Sequence, residues 1–141
     1  MEKMKQLFSI SLLLVTMMGI ASFPAIADNE YVPRSQKNVL YQAPITGIGI
    51  EGKEVTITHF GISAGFVGDK HMHPGPIFVY VLEGELTVES EGETKTFKTG
   101  AIYAKDAGQA VTGMNLSHSD DLEILVFQIG DIGKPTMIKV E

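Results

Sequence analysis

Gly65-Phe66-Val67-Gly68-Asp69-Lys70-His71-Met72-His73-Pro74-Gly75-Pro76-Ile77-Phe78-Val79-Tyr80-Val81-Leu82-Glu83-Gly84 is the stretch on which the fold turns. It holds two histidines spaced two residues apart. On extended chain, residues two apart project from the same face, so the imidazoles of His71 and His73 converge. Pro74 biases His73 away from helical backbone, and Pro76 does the same to Gly75, which keeps the pair extended. Ile77–Leu82 follows, apolar on both faces, and reads as a central strand covered on each side. Neutral imidazole is a common metal ligand, and two on one wall make half a site.

Working outward, no segment shows sustained helical periodicity. Short β-rich runs separated by glycine-bearing turns fill the chain instead. They are Val39–Gln42, Glu54–Gly61, Ile77–Leu82, Glu85–Ser90, Thr94–Lys98, Ala101–Ala104, Gln109–Met114, Leu122–Ile129 and Thr136–Val140. Leu122–Ile129 is the second run apolar on nearly both faces, and so the second central strand. Glu91-Gly92 reads as a tight turn between two alternating strands, with glycine free to take positive φ. Glu51-Gly52-Lys53 does similar work before Val55. Many short strands at close spacing predict an all-β barrel or sandwich.

The first 27 residues stand apart from this pattern. Lys3 and Lys5 precede an apolar run from Leu7 to Phe23, and Ala25-Ile26-Ala27 closes it with small residues at both flanks. That layout predicts a signal peptide cleaved after Ala27, hence export to the periplasm or beyond the cell with no membrane span retained. Residues 28–38, polar and broken by Pro33, read as an N-terminal arm, and residues 39–141 as one barrel domain. The net charge of −6 offers no electrostatic basis for binding nucleic acid or anionic membrane. With no cysteine in the chain, disulfides, thiolate catalysis and sulfur metal sites are excluded together. A small exported domain without disulfides depends on its core and often on a partner subunit.

Two spacings then resemble a known family. Gly65-x5-His71-x-His73-x10-Gly84 is similar to the first cupin motif, and Gly100-x7-Gly108-x6-Asn115 to the second. The resemblance covers roughly residues 55–135. It implies a double-stranded β-helix, the RmlC-like jelly-roll barrel, often with a divalent metal inside. In this resemblance the first motif also carries a glutamate ligand four residues after its second histidine, where this chain has Ile77. The second carries a histidine where this chain has Val111, and a proline where it has Asp106. Two of four implied ligands are therefore aliphatic.

Other residues are candidates to complete the set around His71 and His73. Gln109 lies two residues before Val111 and shares its inward parity. His59 shares a face with Val55 and Ile57, which predicts that it too points inward. Asp106 at its turn is a weaker candidate, Met114 faces away from the Val111 side, and His118 sits in a solvated loop. Ile77, Val79, Val81 and Val111 are expected to make the rest of the cavity wall apolar. Phe78, Tyr80 and Leu82, of opposite parity, face outward and predict cover by a second subunit, as in a homodimer, or by the arm through Val39 and Tyr41.

Three functions follow as expectations. One is an exported small-molecule-binding protein whose histidine pair contacts the ligand's polar end, with or without a divalent zinc, iron, manganese or nickel ion. The second is a metal-dependent enzyme of dioxygenase or isomerase type. The third is a structural partner whose site has decayed.

Overall fold

The computed structural model describes residues 31–141; the expected leader and residues 28–30 of the expected arm lie outside them. Ten strands follow one another: β1 (Ser35–Pro44), β2 (Lys53–Ile62), β3 (His71–Met72), β4 (Ile77–Glu83), β5 (Glu85–Ser90), β6 (Glu93–Lys98), β7 (Ile102–Lys105), β8 (Ala110–Met114), β9 (Leu122–Asp131) and β10 (Ile138–Lys139). They pair antiparallel into two five-stranded sheets, β1-β2-β9-β4-β7 and β10-β3-β8-β5-β6. Strands β4 and β9, the two runs apolar on both faces, lie inside the first sheet. At the β5–β6 turn Glu91 and Gly92 both take positive φ, 54° and 80°, the backbone a two-residue hairpin needs to follow the strand twist.

The core forms where the inner faces meet. Ile62, Val79, Val81, Leu122, Ile124 and Val126 from one sheet pack with Leu86, Val88 and Val111 from the other. Burial of such side chains contributes about 1.5–3 kcal/mol each before entropy is counted. Asn115 is 1 % exposed: its Nδ2 donates to Ile62 O at 3.0 Å and Asp120 O at 2.8 Å, and its Oδ1 accepts from Ser117 N at 3.1 Å. That amide ties the loop before β9 to the end of β2, the physical reason for an asparagine at the close of the second motif.

Two expectations need correction here. The arm does not run to residue 38, because β1 begins at Ser35, paired with Ile62 of β2. Only its middle, Val39–Gln42, was expected as a strand, because an edge strand exposed on both faces carries no alternation and backbone pairing alone sets its ends. Nor does the arm cover the outer face of β4. Strand β1 occupies the far edge of the sheet, with β2 and β9 between it and β4, and Phe78, Tyr80 and Leu82 remain 47 %, 39 % and 41 % exposed.

Candidate functional site

Rows of paired residues crossing the first sheet lay out the barrel interior. Thr56, Gln128, Ile77 and Lys105 stand side by side on the inner face of β2, β9, β4 and β7. The next row is Thr58, Val126, Val79 and Tyr103. On the opposite sheet His71 of β3 pairs with Val111 of β8 and with Lys139 of β10. Between the sheets lies a cavity of about 260 Å³. Phe60, Ile62, Leu86, Val88, Ile124 and Val126 line it together with the expected Ile77, Val79 and Val111, and both His71 and His73 reach it. Ser35, Asp69 and Met137 also line it.

The two imidazoles meet edge to face, with ring centroids 5.0 Å apart and planes at 80°. His71 Nδ1 lies 2.8 Å from Asp69 O. His73 Nδ1 lies 2.9 Å from Thr136 O and 3.2 Å from Gln128 Oε1. A backbone carbonyl only accepts, so in the neutral rings Nδ1 carries the hydrogen and Nε2 the lone pair. The Thr136 carbonyl comes from the segment leading into β10, so the C-terminal strand orients the second histidine.

Gln109 and His59 do not join this pair. Gln109 precedes β8 in a turn where Gly108 takes φ +83° and its N–H donates to His73 O at 2.8 Å. That turn ends the strand's parity before Gln109, which is exposed and outside the cavity. His59 points out of the barrel and pairs with Glu123. On β2 the residues of the inner face are Glu54, Thr56 and Thr58, each buried, while Val55 and Ile57 share the outer face with His59. Alternation marked two faces of β2; over its first half the apolar one is outside, and only Phe60 and Ile62 bring apolar side chains inward. Val81 does point inward, but with 0 % exposure it belongs to the close-packed core around Leu122 and Ile124 and not to the cavity wall.

Lys105, Tyr103 and Gln128 are interior polar residues that sequence reasoning passed over. Lys105 is 8 % exposed, paired in register with Ile77, and its Nζ donates to Ser90 Oγ at 2.6 Å and Ala110 O at 3.3 Å. Desolvation lowers its pKa. Tyr103 lines the cavity's far wall, and burial raises its hydroxyl pKa. Within the apolar run Leu122–Ile129 only Glu123 and Gln128 are polar, and Gln128, of one parity with Val126, was the readable signal for an inward polar residue. Nothing distinguished Lys105 from a solvated lysine.

A metal centre generally takes about three protein ligands. Among the described residues no cluster of three His, Cys, Asp or Glu side chains is placed to hold a metal ion. Ile77 and Val111, at the positions of the two missing ligands, offer no donor atoms. This donor set does not fit a three-ligand centre.

A cupin-domain family model matches residues 58–127, the span carrying both motifs, the histidine pair, all of β4 and the first part of β9. The chain belongs to the cupin superfamily. Three solved structures of this fold are similar over most of the barrel. A cupin superfamily protein from Desulfitobacterium hafniense aligns with TM-score 0.57 at 13 % identity, covering 70 % of this chain and 79 % of that one. KdgF from Halomonas aligns with TM-score 0.52 at 20 % identity, covering 72 % and 88 %. The DMSP lyase DddQ from Ruegeria pomeroyi aligns with TM-score 0.54 at 18 % identity, covering 61 % and 43 %. At such identities the likeness is one of fold. No curated protein matches the chain.

The burial of this cupin's His73 has a measurable consequence. Desolvation lowers its pKa first of all; hydrogen bonds to Thr136 and Gln128 oppose the shift, and the charges of His71 and Lys105 add to it. A base with a depressed folded pKa binds its proton more readily in the unfolded chain. Its contribution to stability is therefore present above the unfolded value, near 6.5, and is lost as pH falls from there through the lower folded value. Melting temperature should decline over that window, and the decline should be shallower in His73→Gln. Equal slopes for the two proteins would show that His73 is not the group responsible.

Proposed function

We propose that this cupin is a small-molecule-binding protein whose cavity takes a compact, largely apolar ligand with its polar end against His71 and His73. The observation that carries this reading is a cavity of about 260 Å³ with mostly aliphatic and aromatic walls and two imidazoles together on one side. An apolar cavity of about 150 Å³ already holds benzene, so this one has room for a ring and a substituent. Ligand sites of mainly apolar wall with few convergent polar groups are the common pattern. Toluene should shift the backbone amide resonances of Val79, Val111 and Val126 in a saturable way. Val126→Phe, which fills the space, should abolish the shifts while the fold persists. Absence of saturable shifts in the unmodified protein would end the reading.

A metal-dependent enzyme is the second reading, favoured by one observation: the Nδ1 atoms of both histidines are engaged by carbonyls, leaving each Nε2 lone pair for an ion. We further propose that the protein acts outside the cytoplasmic membrane, after removal of the leader read at residues 1–27. We also propose that a second copy covers Phe78, Tyr80 and Leu82. In register behind Phe78 and Tyr80 lie Phe127 and Leu125 of β9, so the outer face of the sheet carries a continuous apolar band. Light scattering at increasing concentration should give a dimer mass, and Tyr80→Lys should return the monomer. A monomer at all concentrations would dismiss the interface.

A further inference from the structure

We infer that the cavity selects ligands whose polar end donates hydrogen bonds, a hydroxyl or an amine, over those ending in a carboxylate or a ketone. The inference rests on the reading of the cavity as a ligand site and adds the chemistry of its polar end.

The argument begins outside the cavity. Asp69 O and Thr136 O, at 2.8 and 2.9 Å from the Nδ1 atoms of His71 and His73, have no proton to give. Each neutral ring has a single N–H, and both are spent on these carbonyls. What the pair turns to a ligand is therefore two Nε2 lone pairs. Neither Nε2 makes a hydrogen bond with the protein among the described residues. Flipping either ring to offer an N–H would break its carbonyl bond, and at the part-buried His73–Thr136 contact it would also leave the oxygen short of a partner.

An apolar ligand body that drives water from these walls raises the cost of leaving the lone pairs unpaired. A hydroxyl satisfies one of them and an ammonium has hydrogens for both. A ketone oxygen brings only more acceptors, and a carboxylate adds a negative charge facing two lone pairs. The nearest interior cation gives no relief. The Lys105 ammonium is turned to Ser90 Oγ and Ala110 O and does not line the cavity. Asp69, which lines the cavity, is exposed and paired with Lys139, so that pair brings no net charge to the site.

The test compares toluene, benzyl alcohol, acetophenone and benzoate, one ring with four different ends. Their dissociation constants are measured by amide chemical-shift titration at pH 8 in the presence of EDTA. Benzyl alcohol should bind at least about tenfold more tightly than acetophenone or benzoate, the factor that one satisfied hydrogen bond supplies. In His71→Leu/His73→Leu the ranking should collapse, with toluene bound as well as or better than before. Benzyl alcohol binding no more tightly than acetophenone and benzoate overturns the inference in the unmodified protein, whether or not the double variant folds. A ranking that survives in a folded double variant overturns it too. Toluene binding with no preference among the polar ends leaves the binding reading standing and removes only the donor selectivity. If none of the four binds, toluene included, both fail.

Discussion

Gly75→Ala should cost this cupin most of its stability. A Cβ at that position would lie 1.8 Å from Ile129 O and 2.9 Å from the Ile129 carbonyl carbon. The obstacle is backbone, so no side-chain rotation relieves it. Nor is the strand free to retreat: Ile129 N donates to Pro76 O at 3.2 Å, and Ile129 pairs with Val55 across β2. Only separating the His73–Pro76 segment from β9 makes room, and that segment carries His73. A loss of about 4 kcal/mol or more is expected, against a typical total of about 5–15 kcal/mol. In a domain of this size that lowers the melting temperature by about 15–30 °C or removes the cooperative transition. Gly92→Ala is the matched control. It has φ +80° but nothing within 4 Å of a Cβ, so it should cost only about 1 kcal/mol. Equal melting temperatures for the two variants would refute the close approach of Gly75 to β9.

The second large effect is a gain. Ile77→Glu combined with Val111→His should convert a barrel with two metal donors into one with four. Val111 is the direct cross-strand partner of His71, and Ile77 is paired with Gln128, whose Oε1 is 3.2 Å from His73 Nδ1. Both new side chains would start from positions on the cavity wall beside the imidazoles. Lys105, in register with Ile77 on β7, would compete for the carboxylate, so Lys105→Met should strengthen the effect. At free zinc about 100-fold above its dissociation constant, the variant should gain about 2.7 kcal/mol, a rise of roughly 10–20 °C in melting temperature. The unmodified protein should show no shift with zinc, iron(II), manganese or nickel. A stoichiometric, stabilising metal in the unmodified protein would reverse this and favour the enzyme reading. The same measurements in the double variant check that the four positions converge.

Much of the fold was legible along the chain because its signals are local. The proline-flanked histidines, the glycine-bearing turns and the two apolar runs each act through their own backbone geometry. Together they placed β4 and β9 inside a sheet and both imidazoles on one cavity wall. The spacing of Gly100, Gly108 and Asn115 added the family. Edge strand β1 was only partly legible, since its pairing leaves no periodic imprint on residues that water touches on both sides.

The sequence by itself determined the all-β class, the family and the aliphatic side chains, Ile77 and Val111, that stand where two of the four family ligands would be. Tertiary structure alone decided which face of each strand is inside. Alternation has a period but no sign, so β2 was expected to bury Val55, Ile57 and His59, and it buries Glu54, Thr56 and Thr58 instead. Register across β2, β9, β4 and β7 brought Gln128 to His73 and Lys105 beside Ile77. A turn that breaks parity at Gly108 removed Gln109 from the site. The carbonyl that orients His71 is local, at Asp69, but the one that orients His73 comes from Thr136, 63 residues away from its histidine. A hydrogen-bond partner so distant in the chain exists only once the sheets have closed, and it determines which nitrogen of His73 the cavity presents.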